Sequence, residues 1–270
     1  MKTFEQVEKF SDKKFQKTFG VNRATFSVML EVLEKQFQES HKKGGRKPKV
    51  TLFDRLCIFF AYYRDRRTIA DIANDYNLAD STTFDIISLV ENTLLADERF
   101  HLPSKRTLLK ENFEIAIVDA TECQILRPKK KQQKFYSGKK KRHCMKAQIV
   151  ISQDKIICTA FSSGKVHDFQ LFKISRLPVA KNTLLIADTG YLGLEQVHAK
   201  TLIPKKTSKF RKLTEEDKFY NRVVSKLRIK VEHIFRFLKR FSLFAERYRA
   251  RRKTFAKRFN LICAVFNFNS

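Results

Sequence analysis

Residues 114–125, EIAIVDATECQI, place Asp119 directly behind the apolar residues 115–118 within a β-branched run, which predicts a strand. Similar runs, each ended by turn residues, lie at 147–152, 155–163, 183–190 and 201–206. Helical patterns separate or follow them, at 168–175, 194–198, about 214–241 and 253–268. Strands that first follow one another and then alternate with helices predict a mixed sheet covered by helices. The predicted fold class is therefore α/β, in the form of an α+β mixed sheet.

The first hundred residues show helical rather than strand periodicity, with helical patterns at 21–37, 52–64 and 68–95. The third pattern divides into a short helix from about Ile69, a break at 77–79, and a second helix with Asp80 or Ser81 as N-cap. This spacing is typical of a helix-turn-helix, whose second helix would present Thr82 and Thr83 to DNA. A helical hairpin that only packs is the alternative. We expect two domains, residues 1–100 and residues 101–270.

The charge of the chain indicates the class of partner. The 270 residues carry a net charge of +28, and 26 phenylalanines with 43% apolar residues argue against a disordered protein. Such self-repulsion favours a polyanionic partner, and nucleic acid is the first candidate. A membrane is poorly supported, because the longest apolar run is far too short to span one and MKTFEQVEKF lacks the apolar segment of a signal peptide. We expect a cytoplasmic, nucleoid-associated protein.

Two aspartates interrupt apolar strands. Asp119 follows residues 115–118, and Asp188 follows residues 184–187 and precedes the turn TGYLG. A desolvated carboxylate is costly unless it is paired or binds a cation. Each aspartate taken singly also fits a turn cap, and the sequence leaves that alternative open.

A third acid, Glu232, lies in the strongly basic helix RIKVEHIFRFLKR, residues 228–240. Helical spacing puts Arg228, Glu232 and Lys239 on one stripe beside the apolar face, with Arg236 at its far edge. An ordinary salt bridge to Arg228 or Arg236, worth about 0.2–0.5 kcal/mol, would also explain this glutamate. Three separated carboxylates suit Mg²⁺, and two such ions can promote phosphodiester displacement.

Four segments together resemble a known family: VDATE (118–122), GKVHDFQLF (164–172), IADTGYLG (186–193) and RIKVEHIFRFLK (228–239). In this order they are similar to the DDE-type insertion-sequence transposases, in the insertion sequence family 5 group related to Harbinger elements. The resemblance covers roughly residues 45–268. The tyrosine that related enzymes carry three residues before the arginine is absent, because Ser225 stands there.

The resemblance implies an RNase H-like catalytic domain after an all-α helix-turn-helix domain. It implies that Asp119, Asp188 and Glu232 are the catalytic residues and the ligands of two Mg²⁺ or Mn²⁺ ions. It further implies an endonuclease and strand-transfer enzyme that acts on double-stranded DNA, both terminal inverted repeats and target, as a homodimer. Arg228, Lys239 and Arg236 would then contact DNA phosphates.

Other residues invite a functional interpretation. The basic tract RPKKKQQKFYSGKKKRH (127–143) contains two aromatic residues, so its cations, including Lys139, Lys140, Lys141 and Arg142, are expected to bind DNA while an aromatic ring stacks on a base. A solvated hairpin is the alternative. Glu122 is expected to point away from Asp119, and Asp168 is expected to be a helix N-cap rather than a catalytic residue.

The leading function is therefore a metal-dependent transposase. Two alternatives remain: a DNA-binding regulator with the same fold but without catalysis, and a nuclease that acts on RNA or branched DNA.

Overall fold

The computed structural model describes residues 4–44, 48–65, 67–111, 113–208 and 212–269. The helices are α1 (Phe4–Glu8), α2 (Asp12–Phe19), α3 (Arg23–Ser40), α4 (Leu52–Arg64), α5 (Ile69–Tyr76), α6 (Asp80–Ala96), α7 (Thr107–Lys110), α8 (Gln132–Phe135), α9 (Asp168–Ser175), α10 (Glu215–Leu238), α11 (Ser242–Ala245) and α12 (Phe255–Asn269). The strands are β1 (Ile115–Gln124), β2 (Tyr136–Ser137), β3 (Arg142–Ser152), β4 (Lys155–Ser163), β5 (Leu184–Ile186) and β6 (Thr201–Leu202).

The chain forms two compact units. The helical unit comprises Met1–His101, Phe237–Glu246 and Ala250–Ser270, and the sheet unit comprises Leu102–Arg236 and Arg247–Arg249. The predicted division into 1–100 and 101–270 therefore differs at the C-terminal end, because the buried apolar residues of α12 contact α3 and α6. The functional assignment of the two domains stays a prediction.

The helical unit is held by aromatic packing. The rings of Phe15, Phe19, Phe26 and Phe60 form five neighbouring pairs whose centroids lie 4.7–5.7 Å apart. Edge-to-face and tilted contacts of this kind add to the free energy gained by burying the rings. The many phenylalanines of the chain are thus used in this unit as core.

Helices α5 and α6 have the predicted lengths and separation, and they contact each other. A capping box of Thr68 and Asp71 begins α5, and Asn77 in the left-handed region ends it. The predicted N-cap of α6 is wrong in detail, because Ala79 occupies that position and its side chain makes no capping bond. That this helix pair reads DNA stays a prediction.

The sheet unit confirms the predicted mixed sheet. Its strand order is β2-β3-β1-β5-β6, and β4 also pairs with β3. The pairs of β3 with β1, β2 and β4 are antiparallel, whereas β5 pairs in parallel with β1 and β6. The strand β2, with two residues, was not predicted, since so short a run carries no periodicity.

The two faces of the sheet differ along β1 and β5. Ala116, Val118, Leu185 and Ala187 belong to one buried apolar cluster, together with residues that include Phe172 of α9, Tyr191 and Leu194. Because side chains alternate along a strand, the intervening Ile117, Asp119, Ile186 and Asp188 lie on the opposite face. No helix in the described ranges is long and apolar enough to cross a membrane.

Candidate active site

The parallel pairing of β1 and β5 brings Asp119 and Asp188 together. Ile117 is the partner of Ile186, and each aspartate lies two residues beyond its isoleucine. Both carboxylates therefore lie at the same level, on the same face of the sheet. Burial raises the pKa of Asp119 to about 6, the Arg228 guanidinium opposes that rise, and the charge of Asp188 adds to it. Two acids that are distant in sequence thus lie close enough for the charge of Asp188 to act on Asp119.

A tight turn positions Asp188. Its Oδ1 accepts a hydrogen bond of 2.8 Å from the Gly190 amide, at the start of a short 3₁₀ turn, Thr189–Tyr191. A β-carbon added at Gly190 would lie 2.6 Å from Asp168 Oδ2 and 2.9 Å from Asp188 Oδ1. The turn-cap alternative is thus correct for one oxygen of Asp188. The absence of a side chain at residue 190 is what lets the two carboxylates approach this backbone.

Arg228 of α10 pairs with Asp119 and not with Glu232. Its Nη2 donates to Asp119 Oδ2 at 2.7 Å, and both side chains are about one-seventh exposed or less. The other Asp119 oxygen accepts a 2.7 Å hydrogen bond from the Ala120 amide. A salt bridge between Arg228 and Glu232, the alternative that the sequence left open, is therefore not what the structure contains.

Glu232 lies one helical turn after Arg228, so the two side chains leave the same side of α10. It is exposed, and it makes no ion pair with any residue of the described ranges. An ordinary salt bridge therefore does not account for this acid. Its convergence with the two aspartates stays a prediction.

The carboxylate oxygens of Asp119 and Asp188 are donors that suit a hard divalent cation. Within the described residues there is no group of three or more His, Cys, Asp or Glu positioned to hold an ion. The side-by-side carboxylates of Asp119 and Asp188 offer only oxygen donors, which suit Mg²⁺ and Mn²⁺. Burial raises the pKa of Asp119 and makes its charged form costly, and a divalent ion bound beside it would offset that cost.

A buried ion-pair network, which sequence reasoning missed, supports the Gly190 turn. Lys146 of β3 is buried, and its Nζ lies 2.7 Å from Asp168 Oδ1 and 3.6 Å from Glu122 Oε1. It also donates to the carbonyl of Val166 at 2.7 Å. This lysine holds Asp168 in the position where its other oxygen meets Gly190. A lysine inside the apolar run of β3 was the available signal.

Glu122 and Asp168 both lie beside the ammonium group of Lys146. Glu122 pairs in register with Lys146, on the opposite face of β1 from Asp119, as alternation requires. The N-cap interpretation of Asp168 is wrong: His167 is the N-cap of α9, without a capping bond from its side chain, and Asp168 is the first helical residue. The ion pair with Lys146 determines its position.

Tyr191 lies beneath the acids. It is fully buried, and its hydroxyl lies 3.3 Å from Gln148 Oε1. Burial raises its pKa well above the usual value, and the charges of Asp119, Asp168 and Asp188 add to that rise. The phenol therefore stays protonated and serves as a hydrogen-bond donor.

The predicted DNA-binding cations are accessible. Lys139, Lys140, Lys141 and Arg142 are exposed at the turn between β2 and β3, and Arg142 donates to Gln124 at 3.2 Å. Arg236 is exposed on α10, and Lys239 is exposed just beyond the end of that helix. Helix α10 ends at Leu238, so Lys239 lies one residue beyond the helix that carries Glu232, and a shared stripe of the two side chains stays a prediction.

The two threonines of α6 have different environments. Thr82 is exposed, whereas Thr83 is buried and its hydroxyl donates to the Ala79 carbonyl at 3.1 Å. The expected DNA contact by Thr83 is therefore corrected, since its one polar group is used inside the helix. Cys144, which directly follows the basic segment 127–143, is also buried, and burial raises the pKa of its thiol to about 11.

Comparison with known proteins identifies the family of this chain. The family of DDE superfamily endonucleases matches residues 118–267, a span that includes Asp119, Asp188 and Glu232. A probable transposase for insertion sequence element IS702 from Microchaete diplosiphon is 38% identical over 268 residues, covering 98% of this chain and 97% of that protein. No solved structure matches the chain. The chain therefore belongs to the DDE superfamily endonucleases, among the DDE-type insertion-sequence transposases.

Proposed function

We propose that this protein binds the ends of its mobile element, hydrolyses phosphodiester bonds there to free 3′-hydroxyl groups, and joins those ends to target DNA. The observation that carries the proposal is the pair of Asp119 and Asp188, aligned by the parallel register of β1 and β5 in a strongly cationic chain. Acidic oxygens gathered in a basic protein suit the binding of a cation between the protein and a phosphate.

Asp119, Asp188 and Glu232 are proposed as the catalytic residues and as the ligands of two Mg²⁺ or Mn²⁺ ions. When bound, such ions activate a water or hydroxyl nucleophile and stabilise the leaving oxygen. Support for Glu232 comes from its exposure and from its position one turn after Arg228, whose guanidinium already reaches Asp119.

The chain itself supplies the groups that orient this site. Gly190 holds Asp188 through its amide, and Lys146 holds Asp168 against the same glycine. Tyr191 closes the apolar side of the turn. These contacts keep Asp188 and Asp168 in place before DNA arrives, so that this part of the site needs little reorganisation during the reaction.

Double-stranded DNA is the proposed partner, with phosphate contacts from Arg228, Arg236, Lys239 and the cations of residues 139–142. To take this role, the guanidinium of Arg228 must leave Asp119 and bind a phosphate instead. The carboxylate and the phosphate each present a pair of anionic oxygens to it. Helices α5 and α6 are proposed to read duplex DNA through exposed residues such as Thr82. A homodimer would bridge two element ends.

The test is cleavage of a linear duplex that carries the DNA flanking the gene, with and without Mg²⁺. Asp188→Asn keeps the Oδ1 acceptor for the Gly190 amide, so the turn is preserved while the carboxylate charge is removed. Glu232→Gln changes an exposed side chain at little cost in stability. We expect both variants to lose cleavage and strand transfer and to keep DNA binding.

Glu216→Gln, at an exposed position in the first turn of the same helix, is the matched control and should cleave normally. The proposal is refuted if the wild-type protein binds this DNA but neither cuts nor joins it with any divalent metal. That outcome would indicate a regulatory DNA-binding protein. Cleavage retained by Glu232→Gln would remove Glu232 from the site.

A further inference from the structure

A cavity of about 650 Å³ opens beside the turn between β2 and β3, and the roles assigned above do not use it. Its volume falls in the range of roughly 300–1,000 Å³ typical of small-ligand pockets. The side chains that line it include Arg127, Gln132, Gln133, Tyr136, His143 and Lys165. None of the lining residues is acidic. The cavity is therefore suited to an anionic ligand.

Secondary structure fixes the aromatic wall of this cavity. Tyr136 of β2 is the cross-strand partner of His143 of β3, and their rings meet edge to face with centroids 5.6 Å apart. Tyr136 is nonetheless 44% exposed, so part of its ring is accessible to a ligand. A large aromatic side chain held at the mouth of a cationic cavity is a surface on which a planar group can stack.

The polar wall is held just as firmly. Arg127 Nε donates to Gln132 Oε1 at 2.9 Å, which joins the segment before α8 to α8 itself. Lys165 follows Gly164, whose amide donates to the Cys144 carbonyl at 2.9 Å. A β-carbon at Gly164 would lie 2.9 Å from the Phe135 carbonyl, so glycine allows the close approach that places Lys165 here.

These groups match the parts of a nucleotide. The amide of Gln133 carries donors and an acceptor, as the edge of a nucleobase does, and Gln132 offers its NH₂ donors while its oxygen accepts from Arg127. The ring of Tyr136 offers a stacking face, and the cations of Arg127 and Lys165 suit a phosphate. A free phosphate would use the cations only and would leave the ring and the amides without a function.

The distance between this cavity and Asp119 is one that a short single strand of DNA can span. Ile149 is the β3 partner of Asp119, and His143 lies six residues earlier on β3, about 20 Å of extended strand. An even separation puts His143 on the same face of the sheet as Asp119. One strand of DNA advances about 3.4 Å per nucleotide, so roughly six nucleotides span this distance.

We propose that this cavity binds one unpaired nucleotide of the DNA substrate, with its base against Tyr136 and its phosphate at Arg127 and Lys165. A base inside a duplex is covered by its neighbours, so the nucleotide must leave the stack to enter. The proposal rests on the proposed function only in taking DNA as the substrate, and it assigns a specific role to part of the basic segment 127–143.

The experiment measures the affinity of the full-length protein, without metal, for two labelled duplexes of identical sequence. One is fully paired, and the other carries a single bulged 2-aminopurine whose fluorescence reports stacking. Tyr136→Ala should weaken binding of the bulged duplex about tenfold, within the range that base–aromatic stacking supplies, and change binding of the paired duplex less than twofold. The quenching of the bulged 2-aminopurine should also be lost.

Tyr136→Phe keeps the ring and should bind both duplexes as the wild type does. Phe219→Ala removes another exposed ring, 65% exposed on α10 and outside the cavity, and should leave both affinities unchanged. A thermal melt of each variant checks the fold, which the exposure of Tyr136 leads us to expect unchanged.

The proposal is overturned if Tyr136→Ala weakens both duplexes equally, or neither. It is also overturned if free dAMP competes as well as the bulged duplex does, which would indicate a site for free nucleotides. Failure of the proposed function is distinguishable, because it would appear as a wild-type protein that discriminates the bulged duplex but never cuts DNA.

Discussion

Gly190→Ala tests how the candidate active site is built. In the structure, the added methyl group would lie 2.6 Å from Asp168 Oδ2 and 2.9 Å from Asp188 Oδ1, whereas ordinary contact begins at 3.4 Å. The nearer oxygen must therefore move by about 0.8 Å, and Asp188 by about half an ångström. Lys146 and the Gly190 amide resist these shifts, since each holds one of the two carboxylates.

A displacement approaching 1 Å of a group that positions the reacting centre lowers a rate about 100-fold. We expect Gly190→Ala to reduce Mg²⁺-dependent cleavage of element-end DNA by about that factor. Binding of the same DNA should change less than about twofold, because no cation is removed. Single-turnover cleavage, with binding measured by fluorescence anisotropy, separates the two effects.

Thr189→Ala is the matched control, since it changes an exposed neighbour in the same turn and adds no atom near either carboxylate. It should cleave at close to the wild-type rate. A Gly190→Ala protein that cleaves as fast as the wild type would refute the reasoning. Equal loss of cleavage and DNA binding, with a lowered melting temperature, would mean that the substitution acts through general unfolding.

Three other outcomes are expected from the same structure. Lys146→Met should lower the free energy of unfolding, measured by chemical denaturation, by about 3 kcal/mol, because it leaves Asp168 and Glu122 without their cation. Adding Asp168→Asn should recover part of this loss and would confirm the pairing. An unchanged stability of Lys146→Met would contradict it. In metal-free protein, the stability contributed by Asp119 should be fully present below about pH 4 and lost as the pH rises through about 6, because burial raises the pKa of this carboxyl in the folded state. Asp119→Asn should flatten this part of the curve of stability against pH. An unchanged slope in that variant would mean that other groups cause the pH dependence. Alanine at residues 139–141 should reduce the slope of log DNA affinity against log salt concentration by about 0.9 for each phosphate that the protein no longer neutralises. An unchanged slope would mean that this exposed turn does not touch DNA.

Local patterns predicted most of the secondary structure. The β-branched runs of β1 and β4 and the helical spacing of α4 and α9 match the elements observed, because strand and helix periods depend on neighbouring residues. The differences lie at element ends and in the short strand β2, and β3 begins at Arg142 rather than at residue 147. The two-residue β2 has no period, and α10 ends before Lys239 although the helical spacing continues beyond it.

The candidate acids were visible in the sequence for a physical reason. A carboxylate inside an apolar run is costly to bury, so Asp119 and Asp188 stand out from surface charges without any knowledge of the fold. Glu232 was conspicuous as an acid in a basic helix. The strongly positive charge indicated a polyanionic partner in the same direct way.

The sequence by itself thus determined the mixed α/β class, the residues that carry charge where burial is expensive, and the preference for nucleic acid, since each of these depends on composition or short-range order. Only the tertiary structure decided which groups meet. The parallel register of β1 and β5 aligns Asp119 with Asp188, Arg228 reaches Asp119 across 109 residues and not its helical neighbour Glu232, and Lys146 holds Asp168 against Gly190. Such pairings depend on strand register and on packing between elements distant in sequence, which local spacing does not encode.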